Sequence, residues 1–304
     1  MENIVEIKNL KKYFKEVKAV DDISFKIKQG ELFAFLGLNG AGKSTTINII
    51  SGVLKKDSGQ VLVCGQDTDT NMDAIKPSLG IVFQHSVLDA KLSVKDNLKY
   101  RAALYGIKNE QFNQNLQFLA TKLQFSDLLS RPLGKLSGGQ KRRIDIARAL
   151  IHQPKILILD EPTTGLDPVT RMLVWNLINE LRATQNLTVL LTTHYMEEAA
   201  DADYVVIIDS GKIVATGSPT YLKNTYATDF INLYKYDKKL DKIIEASGYP
   251  ASVVAGHLQL QVPNTAAAKQ FILTNEKLID DFEVIKGKMD NVFLNVTGKQ
   301  LKEM

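Results

Sequence analysis

Short runs of consecutive apolar residues alternate with helical patterns along the first two thirds of the chain. The runs cover residues 32–36, 81–83, 156–159, 189–191 and 205–208. Because these runs are continuous rather than alternating, they predict strands that are buried on both faces of a parallel sheet. Shorter strand-like stretches at residues 4–7, 23–27 and 61–64 predict a small antiparallel sheet beside the main one. The pattern therefore favours an α/β fold with a mainly parallel sheet at its core.

Helical periodicity replaces the strand pattern between about residues 89 and 151, where Leu116, Leu119 and Leu123 recur at helical spacing. This change predicts a helical insert within the α/β body. The chain then continues in shorter pieces, with helices predicted at 239–246 and 265–273 and strands at 257–262 and 282–285. We expect a first domain at residues 1–222 and a small α/β domain at 223–304, which serves dimer contacts or regulation rather than chemistry.

Composition and charge restrict the class of partner. The 304 residues have room for roughly two domains of about 150 residues each. A net charge of +4 is too small to indicate binding to a phosphate backbone, so we expect no nucleic-acid partner. The single cysteine, Cys64, cannot form an internal disulfide, which is typical of the cytosol. Because no stretch approaches the roughly 20 apolar residues of a membrane span, we expect any membrane contact to be peripheral.

The strand predicted at residues 32–36 leads directly into the sequence GLNGAGKS. This is the P-loop pattern G-x-x-x-x-G-K-[ST], in which glycines let backbone N–H groups face phosphate oxygens at a helix start. A chance glycine-rich turn is the alternative, and the flanking strand and helix patterns argue against it. We expect a nucleoside triphosphate here, with Lys43 at its phosphates and Ser44 at Mg²⁺. The predicted phosphate-binding residues are Gly37, Leu38, Asn39, Gly40, Ala41, Gly42, Lys43, Ser44 and Thr45.

A second buried run ends in two acidic residues, in the sequence ILILDEP at residues 156–162. An Asp at the carboxyl end of a parallel strand lies where open α/β sheets bind ligands, so we predict Asp160 as a Mg²⁺ ligand. Glu161 is predicted to act as the general base by accepting a hydrogen bond from an attacking water and polarising it, and a solvated acid at a strand end is the alternative. His194 follows another apolar run and would lie at the same sheet edge, although a lone histidine after a strand is more often structural.

Residues 136–140 read LSGGQ, upstream of Asp160. Combined with the phosphate-binding loop, this motif resembles the ATP-binding cassette of ABC transporters, and the resemblance covers about residues 2–222. Five further positions are similar to motifs of that family. They are Tyr13 for the ring that stacks on adenine, Gln84 for the Q-loop, Gly165-Leu166-Asp167 for the D-loop, His194 for the switch histidine, and the MEEA sequence at residues 196–199.

The resemblance implies that two cassettes close head to tail, so that the LSGGQ of one caps the triphosphate held by the other. A helix predicted over residues 140–150 begins there, and a helix start favours an anion. Since the chain carries one cassette, we expect a homodimer. The LSGGQ residues that would contact this nucleotide are Ser137, Gly138, Gly139 and Gln140, and Asp167 of the D-loop is a further predicted nucleotide-binding residue.

The same resemblance assigns catalytic roles to Glu161, His194 and Gln84, with Gln84 also at Mg²⁺ and relaying nucleotide state to a membrane partner. It implies an ATPase subunit, with ATP and Mg²⁺ as cofactors, at the cytoplasmic face of the cell membrane beneath a separately encoded permease. The sequences TTGLDP at residues 163–168 and DNVFLNVTG at residues 290–298 resemble those found in cassettes of bacterial drug and antibiotic export systems.

Two alternatives from other classes are a non-transport cassette ATPase, for example in iron–sulfur assembly, and a nucleotide sensor that does not hydrolyse ATP. Glu161 and His194 together argue against the sensor. The basic run Lys141, Arg142 and Arg143 is interpreted as a solvated face rather than a nucleic-acid contact.

Overall fold

The computed structural model describes residues 2–162 and 166–298, and the chain divides into two units, Met1–Val214 and Ala215–Met304. This division falls before the expected boundary at residue 222. The division itself falls within the strand Lys212–Gly217. The helix Pro219–Tyr226, which the expected boundary would cut, packs against the helix Met289–Thr297 of the second unit.

The first unit is built on a six-stranded sheet whose central strands are buried along their whole length. In spatial order the strands are Lys212–Gly217, Tyr204–Asp209, Leu32–Leu36, Thr188–Thr193, Ile156–Asp160 and Leu79–Val82. The pairings from the second of these strands to the last are all parallel, as the continuous apolar runs predicted. Since parallel strands end at the same edge, the residues that follow positions 36, 160 and 193 meet there.

The predicted antiparallel sheet is present, and it is larger than the apolar pattern indicated. Its strands are, in order, Val17–Lys28, Asn3–Phe14, Ser58–Val63 and Gln66–Asp67. The ring of Phe25 lies 5.2 Å from that of Phe33 and 5.4 Å from that of Phe35, so the two sheets share one apolar core. The first two strands exceed the prediction because their pairing continues into residues whose side chains are exposed, which hydrophobicity does not report.

The helices of the first unit include the predicted helical insert, which consists of the three helices between residues 94 and 150. Side chains define where two of these helices begin: Ser93 accepts a hydrogen bond from the Asp96 N–H, and Ser137 accepts one from the Gln140 N–H. The helices are Lys43–Ile50, Met72–Ile75, Val94–Ala103, Asn109–Lys122, Gly138–Leu150, Pro168–Gln185 and Met196–Ala199, with 3₁₀ turns at Lys76–Ser78, Ser126–Leu128 and Leu133–Lys135.

The second unit contains a strand–helix–strand–strand–helix–strand sequence that folds as a ferredoxin-like sheet, with its first strand between the third and the fourth. Leu240 and Phe271 of the two helices belong to one apolar core with Leu233 and Leu260 of the sheet. The four predicted pieces of this unit are confirmed. The elements are helix Pro219–Tyr226, strand Asp229–Tyr236, helix Lys239–Ser247, strands Ala251–Val254 and His257–Val262, helix Thr265–Thr274, 3₁₀ turn Glu276–Leu278, strand Ile279–Ile285 and helix Met289–Thr297.

Within the described residues, no helix combines the length and the apolar character needed to cross a lipid bilayer.

Candidate functional site

The phosphate-binding loop connects the strand Leu32–Leu36 to the helix Lys43–Ile50, in the predicted context. Its turn depends on Gly40 and Gly42, whose φ angles of 82° and 112° lie in the left-handed region. A Cβ atom at Gly42 would also lie only 2.3 Å from the carbonyl oxygen of Ala19. The loop opens on a cavity of about 360 Å³ lined by Asn39, Gly40, Gly42, Lys43, Ser44, Thr45, Gln84 and Glu161.

Lys43 is buried at this cavity and is held by the loop itself. Its Nζ donates to the carbonyl oxygens of Gly37 at 2.7 Å and Leu38 at 3.1 Å, and it lies 3.9 Å from Glu161 Oε1. Burial lowers the pKa of the Lys43 ammonium, and the nearby carboxylates of Glu161 and Asp160 act in the opposite direction. The loop therefore fixes a cation where phosphate oxygens would enter.

Ser44 and Asp160 come from different elements and meet at the sheet edge. Ser44 Oγ donates to Asp160 Oδ1 at 3.4 Å, and Thr192 Oγ1 donates to the same oxygen at 2.5 Å. A hydroxyl oxygen and a carboxylate oxygen are hard ligands of the kind that Mg²⁺ binds, and phosphate oxygens complete such sites. The residues present therefore fit Mg²⁺.

The Glu161 carboxylate contacts three other predicted site residues. Its Oε1 lies 2.9 Å from His194 Nδ1 and 3.9 Å from Lys43 Nζ, and its Oε2 accepts from Gln84 Nε2 at 3.5 Å. The structure thus brings the predicted catalytic residues Glu161, His194 and Gln84 to one point beside the phosphate-binding loop. A carboxylate held there can accept a proton from a water that approaches a phosphate.

The backbone at Glu161 adopts an uncommon conformation for a residue other than glycine, with φ at 47°. Its N–H donates to the Thr192 carbonyl oxygen at 3.1 Å, and its own carbonyl oxygen accepts from Arg142 Nη2 at 3.0 Å. These hydrogen bonds hold the sharp turn at the end of the strand Ile156–Asp160. The turn directs the carboxylate toward the cavity.

The prediction of a solvated basic face at residues 141–143 is wrong for Arg142, which is buried with 8% of its surface exposed. Its guanidinium donates to the main-chain carbonyl oxygens of Phe83, Asp160, Glu161 and Pro162. Arg142 therefore joins the segment before Gln84 to the loop that carries the two acidic residues. The run of charges conceals this because its three members look alike in sequence, and only Arg142 is buried.

The LSGGQ residues lie at the start of the helix Gly138–Leu150, apart from the residues that line the cavity. Ser137 Oγ accepts from the Gln140 N–H at 3.3 Å, and Gln140 Oε1 accepts from the Ser137 N–H at 2.9 Å. Ser137 and Gly138 are exposed. This reciprocal cap leaves the helix start presented to solvent in the single chain.

Asp167 lies beside this helix start. A Cβ atom at Gly139 would be 3.6 Å from Asp167 Oδ2. Asp167 accepts from the Thr170 N–H at 2.9 Å and from the Thr170 hydroxyl at 2.6 Å, and the hydroxyl bond lowers the pKa of the Asp167 carboxyl. The structure therefore groups Asp167 with LSGGQ rather than with the cavity of its own chain. Gly165 of the D-loop prediction lies outside the described residues.

Tyr13 lies on the hairpin next to the phosphate-binding loop. Strand pairing places Tyr13 opposite Lys18. The residue after Lys18 is Ala19, whose carbonyl oxygen lies against Gly42 of the phosphate-binding loop. Its hydroxyl donates to Asp21 Oδ1 at 2.7 Å, and this hydrogen bond raises the pKa of the Tyr13 phenol. The half-buried ring is thus beside the loop rather than in the wall of the cavity.

Sequence reasoning missed Thr192 as well as Arg142. Thr192 is fully buried in the strand Thr188–Thr193, where it donates to Asp160 and its carbonyl holds the Glu161 N–H. A hydroxyl residue that directly follows the apolar run at residues 189–191 was the available signal, since a buried hydroxyl needs a partner.

A glycine-rich loop, a buried lysine and an acidic strand end on one parallel sheet define a P-loop nucleotide-binding protein. Residues 20–164 match the family model described as ABC transporter. The chain is 33% identical over 315 residues to the linearmycin resistance ATP-binding protein LnrL of Bacillus subtilis, covering 99% of this chain and all of LnrL. It is 31% identical over 310 residues to the Nod factor export ATP-binding protein I of Ralstonia nicotianae, covering 99% and 95% of the two chains.

Two further similarities concern the cassette alone. The chain is 37% identical over 228 residues to the probable multidrug ABC transporter ATP-binding protein YbhF of Escherichia coli, which covers 75% of this chain but only 39% of YbhF. The dimeric structure of the bacterial ABC transporter cassette MJ0796 superposes with a TM-score of 0.66 at 26% identity, covering 71% of this chain and 98% of that one. The chain belongs to the ABC transporter family, as an ATP-binding subunit with the ATPase cassette fold.

Proposed function

We propose that this chain hydrolyses ATP to power the export of drug or antibiotic molecules through a separately encoded permease. The observation that carries the proposal is the Glu161 carboxylate, which contacts His194 and Gln84 and faces the cation at Lys43. The relatives named for linearmycin resistance and Nod factor export support the direction of transport.

Each residue at the cavity has a distinct part in this proposal. Lys43 and the loop N–H groups bind the phosphates. Ser44, Asp160 and Gln84 would hold Mg²⁺, which neutralises charge on the phosphates when it is bound. Glu161 accepts the proton of the attacking water. His194 orients that carboxylate through the contact between Nδ1 and Oε1, and it would contact the terminal phosphate when ATP is bound.

We propose further that ATP is bound between two copies of the chain. Residues 137–140 and Asp167 form an exposed helix start that lies apart from the cavity of the same chain, so a second copy arranged head to tail would supply them. A helix N-terminus carries partial positive charge, which suits the triphosphate. Tyr13 would stack on the adenine beside the loop.

The permease contact proposed here is the helical-insert groove, a cavity of about 400 Å³ whose lining includes Lys76, Phe83, Arg101, Leu104 and Arg148. Phe83 lines this groove, and the next residue, Gln84, lines the nucleotide cavity. A change at Gln84 can therefore reach the groove through one peptide bond. With a permease docked there, the chain would work at the cytoplasmic face of the cell membrane.

Purification from detergent-solubilised membranes tests the transport function. We expect the tagged wild-type chain to retain one polytopic membrane protein in stoichiometric amount and to hydrolyse ATP. Recovery of soluble proteins alone, such as those of iron–sulfur assembly, would contradict transport and favour a non-transport cassette. A purified complex without ATP turnover above background would favour a nucleotide sensor.

For the second unit we propose dimer contacts through the edge strand Ala251–Val254, whose four residues are all exposed. This strand carries no charge, and Val253 is 75% exposed. The opposite edge strand, Ile279–Ile285, carries acidic residues that would repel a second copy. An uncharged edge can pair antiparallel with its own copy around a two-fold axis.

Val253→Lys is expected to weaken self-association of the full chain severalfold, because it would place a positive charge on each of the two paired edges, where the charges repel. Sedimentation equilibrium without nucleotide measures the dimer dissociation constant. The matched control is Val53→Lys, another exposed valine, in the first unit. Equal dissociation constants for the two variants would show that this edge is not an interface.

A further inference from the structure

The aromatic ring of Tyr13 is connected to the phosphate-binding loop by a chain of hydrogen bonds that passes through Asp21. The Tyr13 hydroxyl donates to Asp21 Oδ1 at 2.7 Å, a distance typical of a hydroxyl bonded to a carboxylate. The Asp21 N–H donates to the carbonyl oxygen of Gly211 at 2.8 Å, and the Gly211 N–H donates to that of Ala41 at 3.0 Å. Ala41 belongs to the phosphate-binding loop, so Asp21 links the ring to this loop.

Close backbone packing leaves this connection little room to shift. A Cβ atom at Gly211 would lie 2.5 Å from the Lys18 carbonyl oxygen, and the Ala19 carbonyl oxygen lies as closely against Gly42. Contacts between main chains resist displacement, because no flexible side chain separates them. The hairpin that carries Tyr13 therefore keeps a fixed position beside the loop.

The main chain of Tyr13 is held separately from its ring. The Tyr13 N–H donates to Asp57 Oδ2 at 2.6 Å, and Lys12 Nζ donates to the other oxygen of the same carboxylate at 2.7 Å. Neither contact reaches the hydroxyl, and the direction of the ring is set by rotation about the side-chain bonds of Tyr13. Loss of the hydrogen bond to Asp21 would therefore release the ring without moving the backbone.

The charge of Asp21 is balanced by two lysines. Lys18 Nζ lies 3.8 Å and Lys212 Nζ 3.6 Å from Asp21 Oδ2, and Lys18 Nζ also lies 5.6 Å from the centroid of the Tyr13 ring. The hydrogen bond between the two side chains lowers the pKa of the Asp21 carboxyl and raises the pKa of the Tyr13 phenol. At neutral pH the carboxylate is therefore ionised and the phenol protonated, the pairing that gives a strong hydrogen bond.

We infer that Asp21 is a positioning residue for nucleotide binding: it holds the Tyr13 hydroxyl and so fixes the ring where adenine would stack beside the phosphate-binding loop. A ring that is already ordered loses less conformational entropy when the base binds. The inference rests on the proposed function, because that proposal has Tyr13 stack on adenine. It adds that a residue acting through Tyr13 sets part of the affinity for the base.

Tyr13→Phe tests the inference, because it removes the hydroxyl and keeps the ring. We expect the dissociation constant of the full chain for ATP to rise about fivefold, the cost of ordering one released side chain. The dissociation constant for inorganic triphosphate, which has no base, should stay at the wild-type value. In steady-state hydrolysis, KM should rise while kcat stays unchanged. Asp21→Ala should act in the same way, and the double variant should show no further loss.

Each substitution has a matched control. Tyr234→Phe in the second unit also removes a tyrosine hydroxyl that donates to a carboxylate, that of Glu283 at 2.9 Å. Asp22→Ala removes the exposed acid next to Asp21. Both controls should bind ATP as the wild type does. Thermal unfolding midpoints show whether each variant is folded, and Tyr13→Phe alone decides the outcome if Asp21→Ala is not.

Wild-type ATP affinity in Tyr13→Phe would overturn the inference. An equal loss of affinity for inorganic triphosphate would overturn it as well, because the effect would then lie in the loop rather than at the base. Tyr13→Ala removes the whole ring and should weaken ATP binding about tenfold or more. If only Tyr13→Ala is weakened, the stacking stands and the role of Asp21 is wrong. Wild-type ATP affinity in Tyr13→Ala would refute the stacking and the inference together, whereas a wild type that binds no ATP would contradict the proposed function itself.

Discussion

Glu161→Gln is expected to bind ATP as the wild type does and to hydrolyse it about 10²- to 10⁴-fold more slowly, the range for loss of a positioned base. Glutamine matches glutamate in size and can still contact His194 and Gln84, but its amide cannot accept a proton from water. Because nucleotide would then persist, the variant should also accumulate as a nucleotide-bound dimer. Equilibrium nucleotide binding, phosphate release at saturating ATP and sedimentation measure these three effects.

Glu197→Gln is the control for this substitution, since Glu197 is an exposed acid on the nearby helix Met196–Ala199. It should hydrolyse ATP at the wild-type rate. If Glu161→Gln also retained the wild-type rate, another group would have to activate the water, and the role proposed for Glu161 would be wrong.

Arg142→Met is expected to lower the free energy of unfolding by about 3–5 kcal/mol, at the upper end for a single substitution. Methionine fills much of the same space but leaves the carbonyl oxygens of Phe83, Asp160, Glu161 and Pro162 without their shared charged donor. Hydrolysis should fall as well, because the turn at Glu161 loses one of its hydrogen bonds. Urea unfolding and phosphate release measure the two losses.

Arg143→Met is the matched control for Arg142→Met. Arg143 is half-buried and donates to two carbonyl oxygens, those of Leu123 and Gln124, away from the acidic strand end. We expect it to cost about 1–2 kcal/mol of stability and to leave hydrolysis unchanged. Equal losses in the two variants would mean that Arg142 has no special part in holding the site together.

Much of the first unit could be predicted because its signals are local. A strand buried on both faces requires consecutive apolar residues, so residues 156–159 and 205–208 identify themselves without knowledge of their neighbours. The phosphate-binding loop is equally local, since its glycines, Lys43 and Ser44 lie within eight consecutive positions. The order of the strands in the sheet could not be predicted in this way, because it depends on how distant segments pair.

The second unit was harder to predict for a related reason. Its strand Ala251–Val254 is exposed at every position, so it lacks the buried and exposed alternation by which a strand shows itself. The helix Pro219–Tyr226 follows the last motif of the cassette directly, and only its packing against Met289–Thr297 assigns it to the second unit. The apolar pattern of a segment indicates which of its own residues are buried. It indicates neither an edge strand that is exposed at every position nor the unit against which a helix packs.

The sequence by itself determined the kinds of groups at the site: a phosphate-binding loop, an acidic strand end, a histidine after another strand, and a helix start at LSGGQ. The tertiary structure alone decided how these groups act together. It set Thr192 against Asp160, buried Arg142 under the turn at Glu161, and separated residues 137–140 from the cavity of their own chain. The physical reason is that side-chain identity is written residue by residue, whereas burial, hydrogen-bond partners and charge balance arise only when distant segments pack together.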